Sequence, residues 1–569
     1  MAKKRSRPAA VPVEPPPTAA GGRGRPAILL ALAAVLSLGW FSPEISDSDF
    51  WWHLKTGQYI LEKHSLPVPD PFAYTTATAP LAYSGEALTR HFNLTHEWLS
   101  QVAFYLAYRI AGFGGVVLFR AVLLTAFCAL AGLVAYRRCG SFYWALAAAF
   151  TVATMAKPFA VDRPYIVTFL FLASTLAILE FQRYLWLLPP LFLLWANSHG
   201  GFFLGWLVLG AYGIETWLLG RRATLWWSAA AILVSGLNPN GFRIPQILLY
   251  YGNSYITAHL QEWARPRWQV VNGFTVLLFG AALVMLWARR RVRLVDWLLF
   301  PAFAVAALMA QRNTILIGLL APILIASYFP WRPSLPPLAP FAAALLVMGG
   351  AIAASADSFF QLRAAEWKYP VGAADFLLDH HIPGPIFNTY EYGGYLIWRL
   401  WPEERVFIDG RSLSESVFQD YSRILFNLDD NAGPTARELV DRYGIQTIVM
   451  NTFEHREGYV YWLAPALADQ PAEWKLVYSD PAAIVFMRQP PPGVAPLDSA
   501  RIFDQMEAEC LLHLELVPQQ TACARGLGQV FTAIDAARAR RWLAYYLQRP
   551  HPDDPEAEAA YQRLQTLSQ

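Results

Sequence analysis

Charge and cysteine are both scarce in this 569-residue chain. Charged residues make up only 15% against 55% hydrophobic, which excludes an ordinary soluble protein of this length. The net charge of +3 is too small for a nucleic-acid partner. Of four cysteines, Cys128 and Cys139 fall in or beside an apolar run and read as packing residues. Cys510 and Cys523 lack metal-site spacing and could pair if the tail lies in an oxidising compartment. No GxSxG elbow, HExxH pair, Walker loop or dinucleotide glycine pattern occurs. A convincing cleavage site is missing too, so residues 1–26 read as a disordered, basic, Pro-rich cytoplasmic tail.

What the chain does have is apolar blocks of membrane-spanning length separated by short polar turns. The expected fold is a multi-pass α-helical membrane domain over 27–355, with an extracytoplasmic α/β domain over 356–490 and a mainly helical extracytoplasmic segment over 491–569. Spans are predicted at about 27–41, 115–136, 142–157, 164–182, 185–197, 201–219, 224–237, 272–288, 294–310, 314–329 and 338–355, roughly eleven in all. Large polar loops at 42–114 and 238–271 lie outside. With the basic tail inside, Arg137-Arg138, Arg183, Arg221-Arg222, Arg289-Arg290-Arg291 with Arg293, and Arg332 all fall on inner turns, as the positive-inside rule requires.

The first outer loop opens on Asp47-Ser48-Asp49-Phe50-Trp51-Trp52-His53. If Asp49 starts a helix, His53 shares its face one turn later. A carboxylate pair beside a bilayer calls for a cation, a metal or a reacting hydroxyl; the plainer alternative is a helix N-cap followed by two interfacial tryptophans. Helices are predicted over Asp49–His64 and His96–Ile110, the second carrying Glu97 near its start and ending at Gly112-Phe113-Gly114-Gly115. The same outer face receives Arg163, His199, Arg243, Glu262 and Arg312. Asp49, Asp47 and Glu97 are the candidate catalytic carboxylates. His53, His96, Arg163, His199, Arg243, Glu262 and Arg312 are candidate substrate contacts, the arginines suiting phosphate. Asp47 and Asp49 together offer oxygen ligands for Mg²⁺ or Mn²⁺, although the chemistry can also run without a metal. Gly200-Gly201 reads as a close-packing device rather than a phosphate loop. In the outer domain, strands are predicted at 386–388, 406–409, 446–450, 475–478 and 483–486, with Gly393-Gly394 and Asp409-Gly410-Arg411 in tight turns.

The Asp47-Ser48-Asp49 motif, opening a long first outer loop ahead of a polytopic core and an outer soluble domain, resembles the C-type (GT-C) superfamily of membrane glycosyltransferases. Asp-Ser-Asp-Phe-Trp-Trp-His-Leu-Lys-Thr-Gly, with Asp70-Pro71-Phe72-Ala73-Tyr74-Thr75, His96-Glu97-Trp98-Leu99, Tyr390 to Leu396 and Phe407 to Arg411, is most similar to uncharacterised bacterial members. The resemblance implies a polyprenyl-phosphate-linked sugar donor and a catalytic aspartate at Asp49, or else Asp47. A WWDYG-like motif of the oligosaccharyltransferases is missing, which argues against Asn-glycosylation.

The expectation is therefore a glycosyltransferase of the bacterial inner membrane, acting outside the cytoplasm. It would move a sugar from the lipid-linked donor to a glycan, lipid or protein acceptor. The rival reading is a non-catalytic protein that scaffolds or carries envelope polysaccharide. A transporter is disfavoured because the spans are almost uniformly apolar.

Overall fold

The computed structural model describes residues 24–252, 254–331, 350, 359–430, 432–454 and 457–566. The expected tail at 1–23 and nearly all of the eleventh span, 338–355, lie outside these residues. The chain is mostly helical with one small sheet. The membrane half comprises α1 (Gly24–Trp40), α2 (Asp49–Lys63), α3 (Glu86–Thr95), α4 (Trp98–Cys139), α5 (Phe142–Ala156), α6 (Tyr165–Phe181), α7 (Leu188–Ser198), α8 (Phe203–Leu218), α9 (Arg222–Ser235), α10 (Ile244–Tyr251), α11 (Tyr255–His259), α12 (Gly273–Trp287), α13 (Leu294–Met309) and α14 (Thr314–Tyr328). Helices stand at ten of the predicted span positions, but among the described residues only the stretches Glu86–Cys139 and Gly200–Leu218 are long and apolar enough to cross a bilayer unaided. Outward faces of the bundle are apolar: Val122, Leu207, Leu233, Leu283 and Val305 are 47–68% exposed. Water would not tolerate so continuous a surface, whereas hydrocarbon would.

Helix α4 carries the expected break. Ala111 (φ −144°) and Gly112 (φ 58°, ψ −151°) leave helical geometry, so one helix ends there and a second follows it directly to Cys139, the two sharing one label. Gly112 takes the positive φ that a side chain would resist. Consequently α4 runs from Glu97 at one end to Arg137 and Arg138 at the other. Helix α3 was not anticipated.

The soluble half comprises α15 (Val371–Asp379), β1 (Ile386–Asn388), α16 (Tyr390–Leu400), α17 (Glu415–Leu425), α18 (Ala436–Arg442), β2 (Thr447–Met450), α19 (Leu463–Ala468), β3 (Lys475–Ser479), β4 (Ile484–Met487), α20 (Arg501–Leu516), α21 (Ala522–Thr532), α22 (Ala536–Leu547) and α23 (Pro555–Thr566). The sheet order is β1-β2-β4-β3, with β1 parallel to β2 and the other pairs antiparallel. Cys510 and Cys523 form a disulfide between α20 and α21.

Residues 406–409 are buried but do not form the predicted strand of this sheet. Asn388 takes a neighbouring strand's place: its side chain accepts from Phe407 N–H (2.8 Å) and donates to the Ile408 carbonyl (2.8 Å). The other edge of the segment pairs with the first outer loop through a single Ala73–Val406 bridge. Gly393 and Gly394 likewise sit within α16 rather than in a turn. A Cβ on Gly393 would collide with Ile408 and Asp409, and one on Gly394 with the Ser48 carbonyl at 2.5 Å. The glycine pair thus lets α16 press onto α2 and the 408–409 segment.

Arg411 locks the two halves together. Its guanidinium donates to Asp70 (2.6 and 3.2 Å) and to Asp409 (2.7 Å twice), all three side chains being at most 3% exposed. Under this cover Trp51 and Trp52 are buried core residues, not the interfacial belt expected of them. Trp51 makes edge-on contacts with Phe113, Tyr369 and Tyr395 at 4.9–5.6 Å between ring centroids.

Candidate functional site at the outer face

Two linked clusters form where α2 meets the ends of α4, α6 and α14. In the first, Arg163, just ahead of α6, gathers three carboxylates. Its Nε lies 2.9 Å from both oxygens of Asp47, and its Nη1 lies 2.9 Å from Asp49 and 3.3 Å from Glu262. Arg312, beside α14, donates to the other Glu262 oxygen (3.0 Å) and stacks over Trp263 at 4.7 Å. Both arginines keep about a quarter of the side chain exposed (26% and 29%) and retain N–H groups unused in these pairs among the described residues.

Asp49 opens α2, and a Cβ on Gly410 would fall on its Oδ1 and lie 3.1 Å from Trp52 Nε1. Burial pushes the Asp49 carboxyl up to about 7; Arg163 opposes this, while Asp47 and Glu262 reinforce it. The group is thereby poised as a proton acceptor near neutral pH.

The second cluster surrounds Glu97. His53, one turn beyond Asp49 on α2, places Nδ1 3.6 Å from Glu97 and 3.2 Å from Gln101 Nε2. His96 Nε2 and His199 Nε2 stand 3.1 and 3.6 Å from Glu97 Oε1. Burial lowers His53 and His199 to about 3, so both rings are neutral at physiological pH. Burial also opposes ionisation of Glu97, but the adjoining His96, which hydrogen-bonds it, holds its carboxyl well below the usual range.

Most of the predicted site residues therefore converge. Arg243 does not: it is exposed ahead of α10 and has no ion-pair partner among the described residues. Asp162, although adjacent in sequence to Arg163, pairs with buried Arg120 of α4. Arg120 also donates to the Phe41 and Pro43 carbonyls, tying α4 to the end of α1. Only the single charge inside an apolar run pointed to it. Arg163 pairs with both Asp47 and Asp49, the two carboxylates considered as divalent-cation ligands.

The helix ends that carry the basic turns hold more than arginine. Arg138 pairs with Glu180 (2.6 Å) and Asp296 (2.9 Å), and Arg293 with Glu180 (2.8 Å) and Glu215 (2.5 Å). Arg138, Glu180, Glu215 and Arg293 line a cleft of about 710 Å³ together with Arg137, Arg221 and Arg291. It opens at the ends of α4 and α14 remote from Glu97 and Arg312, so it is no part of the site just described.

No family model and no curated protein matches this chain. Among solved structures, the Archaeoglobus fulgidus oligosaccharyltransferase in the apo form is 13% identical, with a TM-score of 0.48, covering 83% of this chain and 75% of that one. The Archaeoglobus fulgidus oligosaccharyltransferase AglB, in complex with an inhibitory peptide and a dolichol-phosphate, is 12% identical. It has a TM-score of 0.50 and covers 92% of this chain and 86% of that one. The chain shares its overall fold with AglB. At such identities the likeness concerns architecture, and the chemistry rests on the residues just described.

Proposed function

We propose that the protein is a membrane glycosyltransferase that moves a sugar from a polyprenyl-phosphate-linked donor to an acceptor on the extracytoplasmic face. The observation carrying this reading is one half-buried, poised carboxylate, Asp49, held 2.9 Å from a partly exposed arginine. A base and a phosphate-binding cation side by side are what the transfer needs. An acceptor O–H attacks the anomeric carbon and gives its proton to Asp49. The anomeric C–O bond breaks, and the phosphate leaves with the electron pair toward Arg163 and Arg312. Asp47 holds Arg163 in place, while Glu97, with His53 and His96, supports the start of α2. A Mg²⁺ or Mn²⁺ ion at Asp47 and Asp49 would have to displace Arg163 from both, so no step is routed through one. A bacterial inner membrane, with the tail cytoplasmic and the soluble half outside, is the setting consistent with the basic inner turns.

The test uses the full chain in proteoliposomes, given a polyprenyl-phosphate sugar labelled in the sugar. Label leaving the lipid for a membrane or glycan acceptor supports the reading; a scaffold would leave it in place. Because Asp49 works only when deprotonated, the rate should fall as pH drops through about 7. A profile flat from pH 5 to 9 would remove Asp49 from the chemistry. Gly410→Ala, which drives a methyl group onto Asp49, should cost roughly 10²-fold in transfer, the penalty of misplacing a base by about an ångström. Its melting midpoint should change little.

A further inference from the structure

The Glu97 cluster has a feature that sugar transfer does not explain. Glu97 is buried, yet its ion-pair neighbours among the described residues are histidines alone, without a lysine or arginine. A buried carboxylate left without a full cation is costly. The ligand atoms of His96, Glu97 and His199 all lie within 4.8 Å of one another. Ligands 2.0–2.1 Å from a tetrahedral zinc ion stand about 3.3–3.4 Å apart, and the two nitrogen-to-Oε1 separations of 3.1 and 3.6 Å bracket that value.

The surroundings are those of a metal site. His96 Nδ1 is held by the Phe92 carbonyl (2.8 Å), which presents the lone pair of Nε2 toward Glu97. His199 Nδ1 lies 2.9 Å from Thr168 Oγ1, itself fixed by Trp195 Nε1–H (2.8 Å). The Gly201 N–H also approaches His199 Nδ1 (3.0 Å); ligation through Nε2 puts the ring proton on Nδ1, where Thr168 accepts it in place of that contact. The glycines make the approach possible, since a Cβ on Gly200 would lie 2.6 Å from Phe92 and one on Gly201 2.8 Å from Thr168.

We propose that His96 Nε2, Glu97 Oε1 and His199 Nε2 bind one zinc ion, with a fourth position left to water, tying the start of α4 to the turn between α7 and α8. Two imidazoles and a carboxylate form a donor set suited to zinc. The site is separate from the Asp47–Asp49–Arg163 cluster and holds whether or not the chain transfers sugar.

The test is elemental analysis of the full chain, purified in detergent without metal-affinity resin, then loaded with ZnCl₂ and desalted. About one zinc per chain is expected, as for other three-ligand protein sites. It should fall to background in His199→Ala and Glu97→Gln but persist in Asp49→Asn. Because the first two variants risk misfolding, the wild-type protein stripped of metal and loaded with Co²⁺ supplies an independent readout. It should show the intense visible absorption of a four-coordinate site, and Zn²⁺ should bleach it. Zinc at background in the loaded wild type, zinc kept by Glu97→Gln, or zinc lost from Asp49→Asn would each overturn the proposal.

Discussion

Asp49→Asn is expected to abolish the proposed sugar transfer while leaving the protein folded. General-base catalysis by a positioned side chain is worth ~10²–10⁴-fold, and asparagine keeps the shape while removing the basic electron pair. Arg163 still has Asp47 and Glu262 as partners, so the cluster keeps its cation. The asparagine also relieves the burial that lifts Asp49 to about 7, so the melting midpoint should hold or rise. Transfer from labelled donor lipid, measured beside thermal unfolding in detergent, separates lost chemistry from lost structure. Unimpaired transfer would dismiss the assignment of the base, and no transfer by either protein would favour a scaffold.

Arg411→Met has the largest expected effect on stability. It strips the sole guanidinium from between two carboxylates, Asp70 and Asp409, whose side chains are only 1% and 3% exposed. Breaking a buried pair from one side costs about 3–5 kcal/mol, because the orphaned charge stays in a poorly solvating interior. The soluble half should loosen from the membrane half and become sensitive to protease. Adding Asp70→Asn and Asp409→Asn removes the orphaned charges and should recover much of the loss. By contrast, the Arg399–Asp375 pair is 28% and 52% exposed, and its removal should cost no more than about 1 kcal/mol. If Arg411→Met melts like wild type, the clamp does not hold the halves together.

How far the sequence foretold this can be judged residue by residue. Spacing along α2 put Asp49 and His53 on one face, and the alternation of basic and polar turns placed Arg163, Glu262 and Arg312 near the same surface. Periodicity is a local signal, so it located helices well, and four of the five predicted strands, but not Val406–Asp409. That segment's partners are Asn388 and the distant Ala73, and no local pattern announces them. The turn assigned to Gly393-Gly394 failed for a related reason: glycine marks close approach as readily as it marks a bend. Arg411 was visible as a motif but not as a clamp, since its partner lies 341 residues earlier.

That distance bears on how the molecule is made. The stretch carrying Asp49 and Asp70 emerges early in synthesis, while the residues that roof it, Gly394, Gly410 and Arg411, are made only after the helical bundle is nearly finished. Until then α2 lacks its lid and Asp49 lies in water, where its acidity is ordinary. A nascent or truncated chain would therefore be inert, and reactivity would switch on only once the far end folds back to close the first loop.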